Sequence, residues 1–123
     1  MPSLRRLVEG PFRGKDGHRL SDAKKNDGGK ERYDLIPAEP LLELARVYTM
    51  GAVKYGDYNW MGGFRFGRVF AAMMRHAWKF WRGERYDQED GQPHLASVAW
   101  CAFTLMYYDF HTDRYKELDD RPC

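Results

Sequence analysis

Between Pro93 and about His111 the chain carries a helix-length run that is apolar on nearly every side, broken by one narrow line of different chemistry. His94, Ser97, Cys101, Thr104, Tyr108 and His111 recur at spacings of three and four, which places them on one stripe of a helix. A helix with apolar residues all round must be enclosed by others, so this segment is predicted to be the central helix of a bundle.

Two further helices are legible before it. The first begins near Pro37, since proline suits a first helical turn, and Leu41, Leu44, Ala45, Tyr48, Ala52 and Tyr55 keep a helical rhythm up to the stop at Gly56. A connection rich in glycine and aromatics, residues 57–67, leads to a second helix over about 68–82. There Phe70, Met73, Met74, Ala77 and Trp81 form one apolar stripe, Arg68, Arg75, Lys79 and Arg82 lie opposite, and Gly83 ends the helix. No strand-like alternation competes, so the fold class is all-α, a helical bundle. Residues 1–32 show little periodicity, and Asn26-Asp27-Gly28-Gly29-Lys30 reads as a turn or flexible loop. They are predicted to be a flexible or ligand-ordered N-terminal arm, with residues 33–123 as the all-α domain. Three helices of this length leave apolar surface uncovered, so a homodimer or higher symmetric oligomer is expected.

Composition narrows the function classes. The chain has 123 residues, 43% of them hydrophobic, which suits one folded domain. A net charge of +2, from 20 basic and 18 acidic residues, argues against a protein that coats nucleic acid. Cys101 falls in the apolar helix as a small core residue, and Cys123 is terminal and expected to be mobile, so neither belongs to a disulfide or zinc framework. With no signal peptide and no apolar run long enough for a bilayer, a cytoplasmic, reducing setting without membrane contact is expected.

The chemistry concentrates between the second and third helices. The loop Gly83-Glu84-Arg85-Tyr86-Asp87-Gln88-Glu89-Asp90-Gly91-Gln92-Pro93 sets four carboxylates between two apolar helices. Oxygen ligands at that density suit Mg²⁺ or Mn²⁺ engaged in phosphate chemistry. His94 adds a nitrogen ligand, which favours Mn²⁺. The same residues also read as a solvated loop whose charges cap the following helix. His76 shares an apolar face with Val69, Ala72, Met73 and Phe80, where a histidine is more often a hydrogen-bonded core residue than a ligand. Arg75 suits phosphate, or a salt bridge that fastens the loop. Glu39 and Glu43, one turn apart at the start of the first helix, suit either a metal site facing the bundle or the helix dipole.

Anion and base candidates lie elsewhere. Gly28-Gly29-Lys30-Glu31-Arg32 joins backbone freedom to two cations but lacks P-loop spacing. Lys54, Tyr55, Asn59 and Trp60 bring a cation, an amide and aromatic faces into one short segment. A purine can stack there with its edge read by Asn59. The bland alternative is a helix C-terminus with a lysine on its dipole and two aromatics packed down.

Taken in order, Gly29-Lys30-x-Arg32-Tyr33-Asp34-Leu35-Ile36-Pro37, Gly51-Ala52-x-Lys54-Tyr55-Gly56-x-x-Asn59-Trp60, Arg75-His76 and Gly83-Glu84-x-x-Asp87-x-Glu89-x-Gly91-x-x-His94-Leu95-Ala96 resemble the phage dATP/dGTP diphosphohydrolase family. MazZ-type enzymes belong to that family, which is related to the MazG-like all-α nucleoside triphosphate pyrophosphohydrolases. The resemblance spans about Asp27 to Tyr108. It implies hydrolysis of a purine deoxynucleoside triphosphate to monophosphate and pyrophosphate with Mg²⁺ or Mn²⁺, in control of a phage nucleotide pool. It further implies Glu84, Asp87, Glu89 and His94 as metal ligands, and Lys30, Arg32, Asp34, Lys54, Asn59 and Trp60 on the nucleotide. The chain departs from the MazG-like pattern in having no Glu-x-x-Glu, with Glu84-x-x-Asp87 before the last helix rather than in it. Ser97 stands where the family is expected to repeat a histidine.

The combined expectation is a metal-dependent nucleotide pyrophosphohydrolase. Glu89 or Glu43 would orient the attacking water, and Arg75, Lys54 and Lys30 would stabilise phosphate charge. The alternative is a non-catalytic helical protein that binds a nucleotide or a host partner.

Overall fold

The computed structural model describes Leu20 and residues 22–122. The chain divides into two units between Arg32 and Tyr33. In the first, the Lys30 N–H donates to Asp27 O at 3.2 Å, with Gly29 at φ +80°, so the expected turn is present. Lys30 and Arg32 are exposed in it. The expectation of a flexible or ligand-ordered arm falls mostly outside the described residues, as does that of a mobile Cys123.

The second unit is all-α among the described residues. A short 3-10 turn at Tyr33–Leu35 precedes α1 (Ala38–Tyr55), and another at Asn59–Gly62 leads to α2 (Phe66–Trp81). The central α3 (His94–Phe110), a short α4 (Thr112–Tyr115) and a last 3-10 turn at Lys116–Leu118 follow. Gly56 and Gly83 stop α1 and α2 at φ +95° and +99°, a conformation that side chains with a Cβ resist. Pro37 is extended (φ −66°, ψ 133°) and stands just outside α1, one position earlier than a first-turn proline would.

α3 packs most extensively on α2 and next on α1. Its buried side is the polar seam itself: His94, Thr104 and Tyr108 are fully enclosed, and Ser97 and Cys101 nearly so. Leu95, Phe103, Met106 and Phe110 of the same helix are exposed, and so is His111, where the seam runs out at the helix end. The inversion is tolerable because the two largest enclosed polar side chains, His94 and Tyr108, are hydrogen-bonded. Tyr48 of α1 lies against Thr104, whose hydroxyl lowers a Tyr48 pKa that burial raises.

The flanking helices correct two expectations. Of the six apolar positions read on α1, only Leu44 is buried, and Leu41, Ala45 and Tyr55 are exposed, because α1 meets α3 along a narrow line. On α2 the buried positions are Phe66 and Val69, backed by Ala72 and Met73. Phe70, Met74 and Trp81 of the expected stripe face outward. The helix carries two apolar surfaces, and α3 takes the one that begins at Phe66.

Two tyrosines fix the connection ahead of α2. Tyr108 Oη donates to Trp60 O at 2.5 Å and accepts from the Phe64 N–H at 3.1 Å. Burial pushes its phenol up to about 12, so it stays a donor. Tyr115 Oη donates to Met61 O at 2.5 Å. Gly63, at φ +105°, lies so close beneath the C-terminal turn that a Cβ there would meet Leu118 Cδ1 at 2.5 Å. That segment can therefore take the path only with glycine at its bend.

Candidate metal centre and aromatic cleft

α2 and α3 flank the acidic loop and bring a histidine from each to its mouth. His76 Nδ1 lies 2.9 Å from His94 Nδ1 and 3.7 Å from Asp87 Oδ2. One ligand atom from each of His76, Asp87 and His94 falls within 4.8 Å of the others. Two ligands on one octahedral ion with bonds of about 2.1 Å sit about 3.0 Å apart, so the imidazole spacing fits a shared cation. The donor set fits as well, with two imidazole nitrogens and one carboxylate oxygen. Desolvation, then the neighbouring His94, hold the His76 pKa below its ordinary value, against the pull of Asp87 and Asp90. A neutral imidazole keeps the lone pair a metal needs.

The loop is built to hold Asp87 in place. Its N–H donates to Gln92 O and its carbonyl accepts from the Gly91 N–H, both at 2.8 Å, which folds the acidic turn back on itself. The Glu89 N–H donates to Asp87 Oδ1 at 2.8 Å, leaving Oδ2 towards His76. The His94 N–H reaches back to Arg85 O at 2.9 Å, and Tyr86 pairs with Pro93 in a single antiparallel bridge. Asp90 Oδ1 takes the Gln92 N–H at 2.9 Å, a turn bond that employs one of its oxygens. Buried Asp87 and His94 are thus fixed before any ligand arrives.

Glu84 stands on the other side of His94. Its Oε2 lies 2.5 Å from His94 Nε2, the nitrogen turned away from His76. The three-residue cluster includes neither Glu84 nor Glu89, and the Glu89 side chain is exposed. Arg75 is exposed on α2, close enough to draw down a Cys101 thiol that burial pushes up to about 11. Glu43 is half-buried on α1 with Arg46 Nη1 on its Oε1 at 2.7 Å.

A cleft of about 440 Å³ opens beside the end of α1 and gathers Lys54, Asn59 and Trp60 along one wall. Sequence reading missed two of its other walls, Tyr48 and Trp100. The Tyr48 ring lies 6.0 Å from Trp60 and 6.2 Å from Trp100, and Trp60 meets Tyr107 edge-on at 5.0 Å. Asp34 is in the exposed 3-10 turn at Tyr33–Leu35 and does not line the cleft. Lys30 and Arg32 belong to the first unit. His76, which the sequence favours as a hydrogen-bonded core residue, joins Asp87 and His94 here. The signal that could have found it is a histidine on each helix flanking one acidic loop, facing the same carboxylate.

Comparison with known proteins bears on this architecture. The sequence model of the family described as dATP/dGTP diphosphohydrolase, N-terminal, matches residues 21–121. A protein named dATP/dGTP diphosphohydrolase from Salmonella phage PMBT28 is 36% identical over 97 residues, which cover 79% of this chain and 32% of that protein. The chain thus spans about a third of the length of the curated relative it matches. No solved structure matches it. With the family pattern running from before the first 3-10 turn to the last, the chain belongs to the dATP/dGTP diphosphohydrolase N-terminal family.

Proposed function

We propose that this chain hydrolyses a purine deoxynucleoside triphosphate, dATP or dGTP, to the monophosphate and pyrophosphate, in nucleotide-pool control in the cytoplasm of a phage-infected bacterium. The observation that carries the reading is the meeting of His76, Asp87 and His94 in a loop whose backbone already holds them. The name of the phage relative supports the substrate class. Two imidazoles favour Mn²⁺ over Mg²⁺ as the resident ion. Such an ion supplies phosphate charge neutralisation and a bound water of lowered pKa.

The chain's own residues do the rest. Trp60, Tyr48 and Trp100 offer ring faces to the base, Asn59 an amide for its edge, and Lys54 a cation at the rim. Trp100 stands six residues beyond His94 on α3, about 9 Å along the axis, a span that suits a nucleotide with its base in the cleft and its phosphates at the centre. Arg75 serves the phosphates. Glu89, exposed on the loop next to Asp87, is the better placed of the two candidate bases, since Arg46 already engages Glu43.

Pyrophosphate and monophosphate release from a panel of dNTPs and NTPs, with Mn²⁺, Mg²⁺ or EDTA, tests this. Release of both products from a purine substrate, lost in EDTA and in Asp87→Ala, is expected. No turnover by folded protein that still binds nucleotide would replace the enzyme with a binding module on the same scaffold. The outward stripe of Phe70, Met74, Trp78 and Trp81 supports a second copy as partner. Sedimentation that finds only monomers at working concentration would remove that part.

A further inference from the structure

We infer that Glu84 is a positioning residue that acts on the metal centre through His94, not a ligand of the ion. The inference rests on the metal reading above and concerns which atoms do what. The fully buried His94 ring presents two nitrogens to two different neighbours. Nε2 meets Glu84 Oε2 at 2.5 Å and Nδ1 meets His76 Nδ1 at 2.9 Å. An ionised carboxylate only accepts, so the proton of His94 sits on Nε2 and donates to Glu84. Nδ1 is then left with its lone pair aimed at His76 and Asp87.

Burial makes that arrangement specific. With its ring enclosed, His94 cannot turn to water for a partner at Nε2, and an unpaired N–H there would cost about 1–3 kcal/mol. Glu84 settles ring orientation and tautomer together, and its charge makes the imidazole a stronger donor to a cation. The Glu84 side chain is 38% exposed, so its carboxylate reaches the ring from the solvent side while the cluster lies inward. Glu84 and Asp87, three residues apart in one loop, therefore divide the work: Asp87 faces the ion and Glu84 holds a ligand that does.

Histidine-selective ¹⁵N NMR of the metal-free chain reads the tautomer directly. The wild type should carry the His94 proton on Nε2. Glu84→Ala should mix the two tautomers, and Glu84→Gln, which keeps a carbonyl acceptor, should restore the wild-type form. Mn²⁺ affinity, followed by EPR, should fall about 10- to 100-fold in Glu84→Ala and much less in Glu84→Gln. At saturating Co²⁺ the visible bands should keep their energies in Glu84→Gln, because the ligand set is unchanged.

A wild-type proton on His94 Nδ1 overturns the inference, and that result does not touch the metal reading. Cobalt bands that move in Glu84→Gln also overturn it, since Glu84 would then be a ligand. If Glu84→Ala does not fold, the wild-type tautomer and Glu84→Gln decide. A chain that binds neither Mn²⁺ nor Co²⁺ while keeping Nε2–H would overturn the metal reading and, with it, the role of Glu84.

Discussion

Mn²⁺ binding should weaken by more than about 100-fold in His76→Ala, a larger loss than removing a carboxylate that only backs a ligand. Of the three candidate ligands, His76 is the one whose removal disturbs the fold least. Its side chain is 21% exposed, so water can fill the vacated space and reach Asp87 Oδ2. A stability cost of about 1 kcal/mol is expected, a few degrees in a domain of this size. His94→Ala should lose the metal and much of the fold together. That ring is fully enclosed, and removing it leaves a cavity, strips Glu84 of its donor and takes the partner from His76, for a cost of about 2–5 kcal/mol. EPR titration of Mn²⁺ beside thermal melts separates the two effects. A His76→Ala protein with wild-type Mn²⁺ affinity would show that the paired imidazoles are a hydrogen-bonded core feature and not a metal centre.

How far the sequence reaches is clearest on α3. Its length and its seam follow from spacing alone, whereas the full enclosure expected of a helix with no polar face does not hold, since Leu95, Phe103, Met106 and Phe110 stay exposed. Spacing also marks the glycine stops, where only backbone freedom matters, and the acidic loop as the place where chemistry gathers. It does not reveal which of two apolar surfaces on α2 the core takes. Phe70, Met74 and Trp81 are as apolar as Phe66 and Val69, and the choice depends on where α3 lies. The candidate ligand set was half legible for the same reason. Asp87 and His94 are adjacent to the loop in sequence, whereas His76 joins them only once α2 and α3 run side by side and the bond from the Asp87 N–H to Gln92 O folds the loop back. The division of labour between Glu84 and Asp87 was out of reach. It depends on which ring nitrogen each carboxylate meets, a matter of ångströms that carboxylate spacing does not encode.

Tyr108→Phe should cost about 2 kcal/mol and loosen the aromatic cleft while leaving the metal centre intact. The phenol is the shared partner of Trp60 O and the Phe64 N–H, so its loss leaves that N–H unpaired and Trp60 O with the Gly63 N–H alone, where the chain bends into α2. The ring itself stays on Phe66, with which it stacks at 5.6 Å, and against Tyr115 at 4.3 Å, so the core persists. Tyr108→Ala removes both contributions and should cost about 3–5 kcal/mol. The site consequence follows from where Trp60 is tied. With its carbonyl held by Gly63 alone, the wall that carries Trp60 and Asn59 loosens, and the stacking of a base, worth about 1–3 kcal/mol, is weakened. His94 lies fourteen residues away on the same helix, about 21 Å along the axis, too far for the two sites to share a hydrogen-bond network. Urea melts, nucleotide affinity in EDTA and Mn²⁺ affinity therefore give three separate readings on one variant. Stability and nucleotide binding should fall while Mn²⁺ affinity holds. If Mn²⁺ affinity fell with nucleotide affinity in Tyr108→Phe, the cleft and the centre would be one coupled unit, and the bend at Gly63 would be the element that couples them.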